Sequence, residues 1–183
     1  MSNTQIGVYI GRFQPLHTGH LAIIKQGIQN EDKFIIIIGS IDKHDSKNPY
    51  SFEERTDFIR GCLSNEENSK LIIKGLRDST QEDRDSDPVW WYTQVKHILS
   101  DFQNSIVSLY GSNKDSITED YLNKLKTYSG FNKEKIVEPI LTKDVTINAT
   151  DIRTILNKTE KSEDDNKYLR SVLPEYVLNK LKE

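Results

Sequence analysis

Two histidines three residues apart, His17 and His20, stand in the stretch Gly-Arg-Phe-Gln-Pro-Leu-His-Thr-Gly-His at residues 11 to 20, directly after the apolar run Ile6 to Ile10. Residues at that spacing share one face of a helical turn. The first N–H groups of a helix have no partner inside it, and Gly19 lets a polyanion approach them, so the stretch predicts a phosphate site where a buried strand turns into a helix. A second such place lies late in the chain. Ile147-Asn-Ala-Thr-Asp-Ile-Arg153 puts small polar residues just before a helix, with Asn148 as N-cap and Arg153 about one turn inside. Paired anion sites of this kind suit a polyphosphate.

The elements that must position these residues are legible in the spacing of apolar side chains. Dense runs at Ile6 to Ile10, Phe34 to Ile38, Leu71 to Ile73, Ile106 to Tyr110 and Ile136 to Leu141 read as buried strands. Between them, Leu21, Ile24 and Ile28, then Phe58 with Cys62, then Val95 with Leu99, repeat at three or four residues and predict amphipathic crossover helices. The expected fold is α/β: a Rossmann-like, doubly wound, parallel five-stranded sheet with flanking helices. Ligands in such sheets gather beyond the carboxyl ends of the strands. The loops that follow the first four strands carry the histidine box, Gly39-Ser40, Arg77-Asp78 and Gly111-Ser112. Residues 78 to 87 and 158 to 167 read as solvated loops, with Asp83, Asp85 and Asp87 in water. Residues 165 to 183 read as a C-terminal helical segment whose last helix opens at Pro174, all within one domain over 1 to 183.

Composition excludes several classes of function. A net charge of −3 without a long Lys/Arg cluster argues against a nucleic-acid ligand. No run reaches the ~20 apolar residues of a membrane span. The lone cysteine, Cys62, cannot form an intramolecular disulfide, and with no charged-then-apolar leader the expectation is a cytoplasmic protein without a membrane partner.

The box at residues 11 to 20 resembles the GxFxPxHxGH motif of the HxGH nucleotidyltransferase superfamily, and residues 147 to 153 resemble its I-S-x-T-x-I/V-R motif, with Asn148 where serine is usual. The segment from Ile38 to Arg55 is similar to IGSxxxxxxxxNPFTxGER of the archaeal type of NMN adenylyltransferases, including those fused to Nudix domains, with Glu53 in place of the glycine. Lys74-Gly-Leu-Arg-Asp78 with Pro88-Val-Trp-Trp91, Gly111-Ser-Asn-Lys-Asp115 with Tyr121-Leu122, and Ser171-Val-Leu-Pro-Glu-Tyr-Val177 extend the likeness; a Nudix box is absent.

What the resemblance implies is transfer of AMP from ATP to NMN, giving NAD and pyrophosphate. On that reading His17, His20, Arg12 and Arg153 are catalytic, and ATP is held by Gly11, Arg12, Phe13, His17, Gly19, His20, Gly111, Asn148, Thr150 and Arg153. The NMN half falls to Ser40, Lys47, Asp78, Trp90 and Trp91. The pyridinium ring of NMN is cationic, so an indole face attracts it; Trp90 is expected to meet the ligand and Trp91 the core. Arg55 is expected to hold its helix by pairing with a carboxylate. Mg²⁺ is expected to bind through the ATP phosphates, with no protein ligand named. Another acceptor, nicotinic acid mononucleotide or phosphopantetheine, and a non-catalytic ATP or NAD sensor are the rival readings, and a homo-oligomer stays open.

Overall fold

Successive strand residues point to opposite sides of a sheet, so the run Phe34 to Ile38 must serve two cores at once. It does so in the computed structural model, which describes residues 4–102, 105–112, 119–129, 133–134 and 147–182. Strands β1 (Gln5–Gly11), β2 (Lys33–Ile38), β3 (Leu71–Gly75), β4 (Ile106–Tyr110) and the two-residue β5 (Lys133–Glu134) form one sheet in the order β3-β2-β1-β4-β5, and every pair is parallel. The order reverses beside β1, which places the ligand crevice at its carboxyl end. The expected strand at Ile136 to Leu141 lies outside the described residues; the edge pairing seen is three residues earlier, at Lys133 and Glu134.

Helix α1 (Thr18–Asn30) follows β1, and α2 (Phe52–Gly61) and α3 (Asn65–Lys70) lead into β3. Next come α4 (Gln81–Ser86) and α5 (Trp90–Ile98) before β4, then α6 (Glu119–Ser129), α7 (Ala149–Leu156), α8 (Glu163–Val172) and α9 (Glu175–Lys180). One core layer joins Tyr9, Phe34, Ile36 and Ile38 of the sheet to α1, α2, α7, α8 and α9 through Ile24, Phe58, Ile152, Leu169 and Val177. The opposite layer joins Ile6, Val8, Ile35, Ile37, Val107 and Leu109 to Val95 and Leu99 near α5 and Leu125 of α6. None of the described helices is long and apolar enough to cross a membrane.

Both stretches expected as loops contain helix starts. Thr80 caps α4 and Ser162 caps α8, each with an aspartate three residues on, Asp83 and Asp165, that returns a hydrogen bond to the cap's own N–H. These are capping boxes built with Asp rather than Glu, and polar composition concealed them.

Strand register decides where the functional loops begin. Gly11 pairs with Ile38, and Ile38 with Gly75, so the chain leaves β1, β2 and β3 at one level. Close approach of α1 to the sheet depends on Gly27, where a Cβ would fall inside the Phe34 ring. Gly27→Ala is expected to destabilise, because ~1–3 kcal/mol of overpacking exceeds the helix-propensity gain, which is about 1 kcal/mol at most; a denaturant midpoint that rises in the variant would refute this packing argument.

Candidate active site

The turn from β1 into α1 is strained and tightly held. Phe13 has φ 52, left-handed backbone that a bulky residue rarely adopts. Its ring is 1% exposed and meets Tyr9 edge-on at 5.3 Å and His20 at 5.0 Å. Core burial thus holds the unfavourable backbone. The Phe13 side chain, in the stretch expected to hold ATP, forms the floor under His20.

His17 is the N-cap of α1, and its Nδ1 accepts the main-chain N–H of His20 at 3.3 Å. With Nδ1 used as an acceptor, the proton of the neutral ring sits on Nε2, which becomes a donor. The two imidazoles stack with centroids 3.5 Å apart and planes at 18°. Burial lowers the His17 pKa to about 4, and burial together with the His17 charge holds His20 well below the usual histidine range. Both rings are therefore neutral near pH 7. His20 Nδ1 is buried without a hydrogen-bond partner among the described residues. A Cβ on Gly19 would stand 3.2 Å from the His17 ring and 3.7 Å from Ile147 Cδ1.

That proximity of Ile147 shows that the late motif reaches the first. Asn148 caps α7 by accepting the N–H of Thr150 at 2.9 Å, so asparagine serves here where serine is usual. Arg153 donates through Nη1 to the carbonyl of Gln14 at 2.7 Å and through Nη2 to Thr150 Oγ1 at 3.1 Å. Gln14, 2% exposed, also pairs its side chain with the main chain of Tyr50: Nε2 donates to Tyr50 O at 2.9 Å and Oε1 accepts Tyr50 N at 3.0 Å. Burial and the repulsion of nearby Arg12 both lower the Arg153 pKa. Arg12 itself is exposed. Two cations, two neutral imidazoles and the starts of α1 and α7 thus converge.

Arg55 corrects an expectation. It is 0% exposed and forms no ion pair with a carboxylate among the described residues. Its Nε donates to Ser51 O at 3.0 Å, and its Nη1 donates both to Arg12 O at 2.9 Å and to Gly39 O at 2.8 Å. Main-chain carbonyls at two strand ends can point several lone pairs at one guanidinium, which the spacing of charges could not reveal.

On the β2–β3 side, Ser40 has φ 51 and donates to Asp78 Oδ1 at 2.9 Å, while Asp78 N donates to Asp42 Oδ1 at 2.9 Å. Lys47 is exposed on a turn in which its N–H donates to Asp45 Oδ1 at 2.8 Å. The Arg77 guanidinium lies 4.2 Å over the Trp90 ring and binds Asp83 through both terminal nitrogens at 2.6 and 2.9 Å. Asp83 is therefore no solvated loop residue. Hydrogen bonds from Arg77 and from the N–H of Thr80 hold its carboxyl well below the usual carboxylate range. Trp91 packs on the core layer of Val95 and Leu99, edge-on to Tyr92 at 5.4 Å. Gly111 is buried at the end of β4, and Asn113, Lys114 and Asp115 lie outside the described residues. Gln14, Tyr50 and Asp42 were given no role by the sequence reading, and Arg77 was placed in a functional loop without one; for Gln14 and Tyr50 the decisive groups are backbone, which carries no residue signature.

The chain belongs to the cytidylyltransferase-like family, whose description matches residues 8–155. It is 38% identical over 93 residues to the nicotinamide-nucleotide adenylyltransferase of Methanolobus tindarius, a match covering 50% of this chain and 48% of that one. To the nicotinamide/nicotinic acid mononucleotide adenylyltransferase of Acinetobacter baylyi it is 32% identical over 111 residues, 59% of this chain and 56% of the relative. The chain thus spans about half the length of these curated relatives. In fold it is similar to the bifunctional NMN adenylyltransferase/ADP ribose pyrophosphatase of Francisella tularensis complexed with AMP and an Mn ion, at 23% identity and a TM-score of 0.67, covering 98% of this chain and 52% of that one.

The buried histidines set a pH dependence. Their folded pKa values lie below the unfolded value of 6.5, so the unfolded chain binds more protons in between and stability falls as pH drops from 6.5 toward about 4. Thermal melts across that window are expected to lose stability more steeply in the wild type than in His17→Asn; parallel pH profiles would show that His17 is not buried neutral.

Proposed function

We propose that this chain transfers AMP from ATP to nicotinamide mononucleotide, releasing pyrophosphate and forming NAD. The observation that carries the reading is the hydrogen bond from Arg153 to Gln14 O, which joins the start of α7 to the histidine turn. Two helix starts brought together in this way offer more than one anion-binding place, which suits a polyphosphate better than a single phosphate. The names of the curated relatives support the same chemistry.

In the proposed reaction a 5'-phosphate oxygen of the acceptor attacks the α-phosphorus of ATP, the Pα–O bond to the β-phosphate breaks, and the electron pair leaves with pyrophosphate. The nucleophile is already an anion, so the protein needs little proton transfer and works by positioning and charge stabilisation. His17 Nε2–H is a ready donor toward the bridging and leaving oxygens, and Arg12 and Arg153 neutralise the outer phosphates. Mg²⁺ arrives with ATP as part of the substrate, held chiefly by phosphate oxygens and water. The acceptor half is assigned to Ser40, Lys47, Asp78 and Trp90 at the ends of β2 and β3 and beyond.

A coupled assay with ATP, Mg²⁺ and NMN is expected to release pyrophosphate and form NAD. Product from phosphopantetheine with none from a pyridine mononucleotide would overturn the acceptor, and tight NAD binding without pyrophosphate release would make the chain a sensor. His20→Ala is expected to lower kcat by about 100-fold or more, the usual effect of losing a transition-state donor, in a variant that still folds cooperatively; full turnover in that variant removes the histidine from the chemistry.

A further inference from the structure

The pair Arg77 and Asp83 has no part in the phosphate chemistry, yet it sits against the indole at which the acceptor's ring is expected. Arg77 uses its end-on fork on Asp83, with Nη1 to Oδ2 at 2.6 Å and Nη2 to Oδ1 at 2.9 Å, and the second Nη1 proton goes to Asp78 O at 3.0 Å. A guanidinium has five N–H groups. The Nε–H and the remaining Nη2–H, which together form the side-on fork, donate to nothing among the described residues, although the side chain is 40% exposed and reachable. Asp83 is 15% exposed and is itself fixed by the N–H and hydroxyl of Thr80 at 2.7 and 2.8 Å, so the fork is held rather than free to wander. Arg77 thus presents an ordered pair of donors beside the Trp90 ring, next in sequence to the carboxylate of Asp78.

We propose that Arg77 is a specificity-determining residue whose side-on fork binds the oxygen of the substituent on the acceptor's pyridine ring, an inference that rests on the adenylyl-transfer reading above. A carboxamide has an acceptor end for Arg77 and a donor end for Asp78, so the amide nucleotide engages both. A carboxylate suits the fork better, in bidentate geometry, but its second oxygen meets the negative charge of Asp78. The amide is therefore bound by Arg77 and Asp78 together, and the acid by Arg77 against Asp78. Asp83 tunes the balance by cancelling part of the guanidinium charge.

The test is steady-state kinetics of the full chain with both the amide and the acid mononucleotide, in the wild type, Arg77→Met and Asp83→Asn. Arg77→Met is expected to raise the amide KM about tenfold, the loss of one charge-assisted hydrogen bond, and to reduce use of the acid by a larger factor, with the ATP KM unmoved. Asp83→Asn is expected to raise the acid-to-amide ratio of kcat/KM, and it remains readable should Arg77→Met fail to fold. Unchanged acceptor KM values in a folded Arg77→Met, a parallel rise in the ATP KM, or an unchanged acid-to-amide ratio in Asp83→Asn overturns the role of Arg77 alone. A wild type that adenylylates neither nucleotide overturns the proposed function and this inference with it.

Discussion

The hydrogen bonds of Gln14 are the constraint on which the site depends. One buried residue joins three segments far apart in sequence: its own turn after β1, the loop ending at Tyr50, and α7 through Arg153. Gln14 itself is almost wholly buried, and a buried group left without its partner costs ~1–3 kcal/mol. Placing the Arg153 guanidinium on a carbonyl, and not on a carboxylate, fixes its geometry without cancelling its charge. Arg55 applies the same device from below, tying Arg12 O and Gly39 O to the start of α2 while remaining a full cation.

A division of charge follows across the carboxyl edge of the sheet. Around β1 and α7 stand Arg12, Arg153 and the buried Arg55, with neutral histidines between them. Their mutual repulsion, seen in the effect of Arg12 on Arg153, is a cost that a bound polyanion removes. Beyond β2 and β3 the groups are Asp42, Asp78 and Asp83, with Arg77 as the countercharge. One half of the crevice is thus cationic and the other largely acidic, a division of charge that the proposed reaction between a triphosphate and a pyridinium nucleotide would use.

Sequence was a good guide wherever chemistry is expressed as spacing of side chains. Four strands, their parallel pairing and the helix starts near His17 and Asn148 could all be read from apolar periodicity and capping types. The helices at Gln81 and Glu163 were hidden because their boxes close with aspartate inside highly charged stretches. The partners of Arg55 and Arg153 were hidden for another reason: both bind carbonyl oxygens, which every residue has and no residue type announces.

The amino-acid order alone thus determined which residues could do chemistry and which elements would carry them, because helix and strand periods and cap preferences are local. Only the tertiary structure decided that the two helix-start turns meet, that His17 uses Nδ1 as an acceptor, and that Arg77 lies on Trp90. Those outcomes depend on register, burial and through-space contacts between residues as many as 139 positions apart, where local propensity has no information.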